Sequence, residues 1–534
     1  MTRRSWVRIP PPLPPERPRD IPLGRIVFRT RFLRRHIGLR LPQQRGEPVP
    51  DLTPAFALTA IVLILTALAS GIVARVPISY PLIFLVLGVL LGPTGFGIID
   101  LTPHSPMLEV ITILTLALVL FIDALKIRFD EVGDDWLIPI LSLGPGTILT
   151  TAVYTVAAYA LFSTTLAESL LLGAILSSTD PVVLRDVLRD ERIPRSVRRA
   201  LGVEAGTNDL IVLPIVLILI AMLESSTQSL ERWLAFLGQL FVLGPLAGIG
   251  IGWTGAWLMA KADARFGISR LYQALYGLGL VLAAYVAGES IGGSGFVAAF
   301  AAGATISISN VELCDCFVEY GETTAEIAML LAFTLFGALL STMVTQIELV
   351  PALLFALVGI AVARPLAMTL VLRRAVASRQ ARLFISWFGP RGLNSLLLAL
   401  LAIHSGVSGA ERLLAIAGVV VFASVILHGS SATPLAAWYG RIVAEAAQTP
   451  GEERESTAAG LFRSTAGEVP RISASGLADL LAGPSPPVVL DVRARAHYAE
   501  DHVRIPGSIR VPPDQVVEWA TGRSRDRPVV TYCT

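Results

Sequence analysis

Between Gly202 and Glu224 the chain reads GVEAGTNDLIVLPIVLILIAMLE, long and apolar enough to cross a bilayer yet carrying Glu204, Asn208 and Asp209 in its first turns. A carboxylate at membrane depth costs several kcal/mol on any scale, so such residues face a protein interior or a water-filled cavity. Glu204 and Asn208 are four apart and share a helix face, with Asp209 just round from them. The pattern reads as an ion-handling site. The plainer alternative makes Asp209 the water-exposed start of the helix.

Apolar runs of similar length recur from Pro54 onward. They predict thirteen helices, near 54–74, 78–96, 107–126, 136–162, 166–185, 202–224, 233–259, 269–288, 291–309, 324–345, 349–373, 382–404 and 412–437. The fold class is therefore an all-α polytopic membrane protein. The fourth and seventh helices are long enough to be tilted or kinked. The loops 185–199 and 373–382 are the most basic, which puts both on the cytoplasmic side. Alternation adds Lys126, Arg128, Lys261, Arg265 and the C-terminal tail to that side, together with an acidic 311–326 loop. The expected location is the cell (inner) membrane.

Composition agrees: 53% of residues are hydrophobic and 16% charged, against roughly 25% charged in soluble domains. The net charge of +2 gives no ground for a nucleic-acid partner; the expected partner is membrane lipid. Cys314, Cys316 and Cys533 are too few for a disulfide framework, and Cys314-Asp-Cys316 lacks the second pair of a zinc site. Residues 1–53 are set apart by about a dozen arginines and the prolines from Pro10 to Pro15. They read either as a disordered basic arm or as an extension upstream of the native start, because thirteen helices would place this basic stretch outside.

Four further polar sites lie in apolar segments. Asp180 sits between Thr179 and Pro181, where proline removes a donor and disfavours helix before it. With the hydroxyls of Ser177, Ser178 and Thr179, a helix broken there offers oxygens to a cation. Gly389-Pro390 and Gly392 flank Arg391 and predict a second break. Arg391 needs a counter-ion, and Asp180 is the natural candidate; Arg364, before Pro365, pairs with Glu204. That leaves Asp209 as the unpaired carboxylate, free to trade a proton for a cation. Asp123, at the end of the third helix, either lines the approach to the site or is a simple interfacial charge. Glu289 reads as structural, beside a Gly-rich turn that serves close helix packing.

Taken together, Thr179-Asp180-Pro181, Glu204-x-x-x-Asn208-Asp209, Arg364-Pro365 and Gly389-Pro390-Arg391-Gly392 resemble the cation:proton antiporter family, in its electroneutral NhaP-type sodium/proton exchanger branch, over roughly 54–440. The resemblance implies inverted repeats, two crossed broken helices and a homodimer. It implies that Asp209 binds cation or proton alternately with help from Thr179 and Asp180, that Glu204, Asn208 and Arg364 brace the site, and that Arg391 pairs with the broken-helix region. A lone carboxylate beside Asn208 trades one proton for one monovalent cation, sodium first, with potassium or lithium as alternatives. Ala205 stands where many members carry serine, so one hydroxyl ligand is absent. No catalytic residue and no cofactor are called for.

After a linker at 441–468 the composition changes. A helix near 473–481, a strand at 488–490 ending in Asp491 and a strand at 528–532 predict a small α/β domain over 469–534. Its His502, Pro506, Gly507 and Cys533 resemble a rhodanese domain, cut off where the loop after the cysteine would follow. The tail is therefore expected neither to fold well nor to act, and the chain to be a piece of a longer fusion. A membrane-anchored sulfurtransferase, and a cation channel or sensor, are the alternative readings.

Overall fold

The computed structural model describes residues 79–127, 137–190, 192–224, 229–309, 311–373, 375, 378–447, 474–483, 486–492, 504–511, 519–520 and 528–532, with isolated positions between 60 and 68. The first expected helix and the N-terminal stretch lie outside the described residues, apart from those isolated positions. So do Arg128, His502 and Cys533, and the side chains of Cys314 and Cys316.

The chain is helical from α1 (Tyr80–Leu91) and α2 (Pro106–Leu125) through α3 (Leu137–Leu161). Two short helices follow, α4 (Leu166–Ile175) and α5 (Pro181–Arg189), then α6 (Arg195–Thr207) and α7 (Asp209–Glu224). Next come α8 (Leu230–Phe266), α9 (Arg270–Ser290), α10 (Gly295–Ser309), α11 (Val311–Met343) and α12 (Leu349–Val371). A second short pair, α13 (Arg379–Trp387) and α14 (Leu393–His404), precedes the long α15 (Ala410–Ala447). Eight of the described helices, some of them continuous through a turn, are long and apolar enough to cross a membrane.

Proline sets the local irregularities. α3, α8 and α12 each widen into one π-helical turn, at 142–146, 239–243 and 359–363. Each lies at or just before a proline (Pro145, Pro245 and Pro365), whose ring crowds the preceding turn and which has no N–H to donate. The fourth and seventh expected helices, α3 and α8, thus carry distortions of the kind their length suggested. Thr165 and Glu168 start α4 with reciprocal side-chain-to-backbone hydrogen bonds.

Three expectations are corrected. The acidic 311–326 segment is helix, continuous with the apolar part of α11. It contains no proline and one glycine, so nothing stops the helix where the hydropathy drops. The basic 185–199 segment carries helix too, α5 running to Arg189 and α6 starting at Arg195. Consequently Glu204 and Asn208 are not in a first turn: Glu204 lies well inside α6, which begins at Arg195, Asn208 caps its end, and Asp209 alone opens a helix, α7.

The charged ends converge as the charge asymmetry suggested. Lys126 pairs with Glu322 at 3.1 Å and Arg185 with Glu326 at 2.6 Å, bringing the ends of α2 and α5 to α11. In the tail, α16 (Ala474–Leu481) precedes a parallel sheet of order β2-β1-β3, made of β1 (Val488–Asp491), β2 (Ile509–Arg510) and β3 (Val529–Tyr532). The β2 pairing was not anticipated. Buried Asp491 accepts a hydrogen bond from Tyr532 Oη at 3.0 Å.

Candidate functional site

The site forms where two helix breaks meet. α4 ends at Ile175 and the chain stays non-helical to Asp180, whose extended backbone (φ −94°, ψ 116°) leads into α5 through Pro181. α13 ends at Trp387 and α14 starts after Gly392. Asp180 caps both new helices, its Oδ1 accepting from Val182 N at 2.8 Å and its Oδ2 from Leu393 N at 2.7 Å. Its own N–H donates to Pro390 O at 2.9 Å. Two helix N-termini thus offset one buried negative charge. Gly392 is needed for close approach, since a Cβ there would run into the Asp180 carboxylate.

The expected Arg391–Asp180 ion pair is absent among the described contacts. Arg391 Nη1 donates instead to Ser177 O at 2.9 Å, Ser178 O at 3.0 Å and Thr179 Oγ1 at 3.3 Å. The guanidinium takes over carbonyls that the break released at the end of α4, while the carboxylate is already held by backbone donors. Arg391 lies 5.5 Å over the Tyr154 ring, and its backbone N–H donates to Ser424 Oγ at 2.7 Å. His428, one turn on from Ser424, bonds Ser424 through Nδ1 and Trp387 O through Nε2 at 3.1 Å. Sequence reasoning missed Ser424 and His428. Two polar residues four apart in an otherwise apolar stretch of α15 were the available signal.

Arg364 and Glu204 form the expected pair, both nearly fully buried. Arg364 Nη1 bonds Glu204 Oε1, and Nη2 bonds Oε2 at 2.9 Å. Nη2 also reaches Phe388 O at 3.0 Å, so the pair ties α6 and α12 to the second break. Gly389 lies against the Arg364 side chain with no room for a Cβ.

Asp209 is 4% exposed, which removes the reading of a water-exposed helix start. No described cation lies within ion-pair distance of it. Its Oδ1 accepts from Ser178 Oγ at 2.7 Å and its Oδ2 from Asn394 Nδ2 at 2.6 Å. Thr179 Oγ1 lies 3.5 Å from Asn208 Nδ2, and Asn208 Oδ1 is buried without a hydrogen-bond partner. Asp209, Ser178, Thr179, Asn208 and Asn394 thus collect side-chain oxygens and one carboxylate in a single pocket. Asn394 was not singled out from the sequence, since an asparagine after Gly392 has no local signature.

A cavity of about 240 Å³ approaches this pocket. Asp123, Lys126, Arg185 and Glu322 stand in its wall, as do Pro181 and Asn394. Asp123 is 4% exposed, with Lys126 Nζ 3.7 Å away, so it lines the cavity and is not an exposed interfacial charge. Glu289 accepts from Gly295 N at 2.8 Å at the turn into α10, a structural contact.

Residues 60–438 match the sequence profile of the family described as "Sodium/hydrogen exchanger, transmembrane". The chain belongs to the sodium/hydrogen exchanger family. Residues 473–534 of this chain match the rhodanese-like domain profile. Among curated relatives, the K(+)/H(+) antiporter NhaP2 of Shewanella sp. (strain ANA-3) is 30% identical over 391 residues, covering 71% of this chain and 66% of the relative. The K(+)/H(+) antiporter NhaP of Alkalimonas amylolytica is 27% identical over 383 residues, covering 71% and 65% respectively. The chain thus spans just under two thirds of the length of these relatives. Among solved structures, the sodium proton antiporter MjNhaP1 from Methanocaldococcus jannaschii at pH 8 superposes with a TM-score of 0.60 and 21% identity, over 73% of this chain and 98% of that chain. That likeness establishes a shared fold.

Proposed function

We propose that this protein is a transporter, not an enzyme, and exchanges a monovalent cation for a proton by alternating access, with Asp209 as the group that carries each in turn. The observation that carries this reading is a buried carboxylate with no described cationic partner, held by two neutral donors between two helix breaks, beside a cavity that reaches one end of the helices. A carboxylate in that setting binds a proton or a cation but has no permanent counter-charge to satisfy it. Of the neighbouring described acids, Asp180 has backbone N–H partners on both oxygens, and Glu204 has Arg364.

Thr179 and Asp180 complete the cation's surroundings, while Glu204, Asn208, Arg364 and Arg391 hold the breaks in register. One titrating carboxylate makes the exchange electroneutral, one for one. Sodium is the first cation to test; the sequence relatives carry potassium in their names, and lithium completes the set. Thirteen helices in inverted repeats with crossed broken helices, a homodimer in the inner membrane and a cytoplasmic tail belong to the same reading.

The test is proton flux in everted vesicles carrying the full chain, with Na⁺, K⁺ and Li⁺ added separately to an imposed pH gradient, with and without a membrane potential. One cation dissipates the gradient regardless of potential, and Asp209→Asn reduces the signal to that of empty vesicles while still inserting. Normal exchange by Asp209→Asn would sink the mechanism, and current without proton counter-flux would make the protein a channel.

A further inference from the structure

Loading Asp209 with a cation requires oxygens to replace the cation's water. The carbonyls of Ser177 and Ser178, freed by the break in α4, already accept from Arg391, and both carboxylate oxygens of Asp180 accept backbone N–H groups. Ala205, one turn before Asp209, has no side-chain oxygen. The oxygens must therefore come largely from neutral side chains beside Asp209.

Asn394 is placed to be one of them. It is the second residue of α14, 2% exposed, and its side chain donates to Asp209 Oδ2 at 2.6 Å. It also stands in the wall of the cavity of about 240 Å³, whereas neither Asp209 nor its other described partner, Ser178, does. Among the described residues, Asn394 alone joins the cavity wall to the exchanging carboxylate.

We propose that Asn394 determines how Asp209 is loaded and which cation it accepts: its amide donates N–H to the empty carboxylate, then turns its carbonyl to the incoming monovalent cation as a ligand. This rests on Asp209 being the exchanging group. A primary amide suits the role because its donor and acceptor ends are nearly equal in size and exchange by a half-turn about a soft terminal torsion. An ionised carboxylate accepts only, so the empty site takes the N–H end. A partly dehydrated cation, or the O–H of a protonated Asp209, takes the oxygen end. The same side chain thereby serves every state of the cycle without a counter-charge. Leucine, with the same number and branching of side-chain heavy atoms, offers neither end; serine offers a smaller hydroxyl that reaches less far.

The experiment compares wild-type full chain, Asn394→Leu and Asn394→Ser, in everted vesicles and as purified protein. Proton flux gives the apparent KM and maximal rate for Na⁺, K⁺ and Li⁺; thermal melting of the purified protein reads binding of the same chloride salts directly. Asn394→Leu raises the apparent KM for the transported cation about tenfold, the worth of one lost oxygen ligand, with a smaller fall in maximal rate, and loses the cation-induced rise in Tm at concentrations that saturate wild type. Asn394→Ser falls between the two and changes the ratio of KM values among the three cations. It carries the test alone if the leucine variant does not insert. An inserted variant with wild-type KM values and ion preference overturns the proposal, as does a fall in maximal rate with KM unchanged, which would mark Asn394 as structural. Wild-type protein that moves no protons with any cation overturns the exchange reading itself, a distinct outcome.

Discussion

Replacing Glu204 with glutamine strands the Arg364 guanidinium in a site where both partners are nearly fully buried. The wild-type pair holds two parallel charge-assisted hydrogen bonds, from Nη1 to Oε1 and from Nη2 to Oε2, the latter at 2.9 Å. Charge-assisted bonds contribute about 1.5–3 kcal/mol each, and removing one partner of a buried pair costs about 3–5 kcal/mol. Glu204→Gln keeps one neutral acceptor, and Arg364 keeps Phe388 O and Ile385 O at 3.0 and 3.4 Å, so the expected loss is near the lower end, about 3 kcal/mol. Arg364→Met leaves a buried carboxylate and removes the donor from both carbonyls, and its cost approaches about 5 kcal/mol. The double replacement Glu204→Gln with Arg364→Met removes both charges and recovers part of this, giving a coupling of about 2 kcal/mol or more. Reversible unfolding of the purified full chain, titrated with a denaturing detergent, measures all three variants. Single variants that each cost less than about 1 kcal/mol, or a double variant equal to the sum of the singles, would refute the reasoning.

Other consequences follow from the same geometry. Gly392→Ala places a methyl against the Asp180 carboxylate that caps α5 and α14, so proton flux in vesicles falls sharply and stability drops by about 1–3 kcal/mol; flux within twofold of wild type would contradict the close approach. The Arg185–Glu326 pair, partly exposed, links the helix leaving the first break to α11. Arg185→Glu weakens cation loading from that side, and the exchanged pair Arg185→Glu with Glu326→Arg restores it, read as apparent KM; no restoration would mean that the pair does not act as a unit. Outside the membrane segments, the Arg192 guanidinium holds the Asp190 carboxyl below its usual range. A lowered carboxyl stabilises the turn above the ordinary carboxylate range and ceases to as pH falls through its own lower value. Protection factors around Asp190, taken relative to the intrinsic exchange rate at each pH, therefore fall on acidification in wild type, whereas Asp190→Asn shows low protection throughout; pH-independent protection in wild type would contradict this.

The features legible beforehand were those written in short range. Pro181 and Gly389-Pro390 announce the two breaks within a few residues of where they occur, because a missing N–H and a crowded turn act locally. The Glu204–Arg364 pair was reachable by elimination, since few charges lie in apolar segments. The acidic start of α11 was misread because hydropathy follows the lipid and not the helix, and a helix continues into water until something stops it.

The amino-acid order by itself determined that this chain crosses a membrane many times, where its helices break and which carboxylates are confined within them, because burial cost and proline chemistry depend on a residue and its neighbours. Only the tertiary structure decided which group answers which. Asp180 belongs to two helix N-termini, Arg391 to the carbonyls of the opposite break, and Asp209 to Ser178 and Asn394. Apart from Val182, two residues on from Asp180, those partners lie from 31 to more than 200 residues apart, and hydrogen-bond geometry, not charge alone, selects among them.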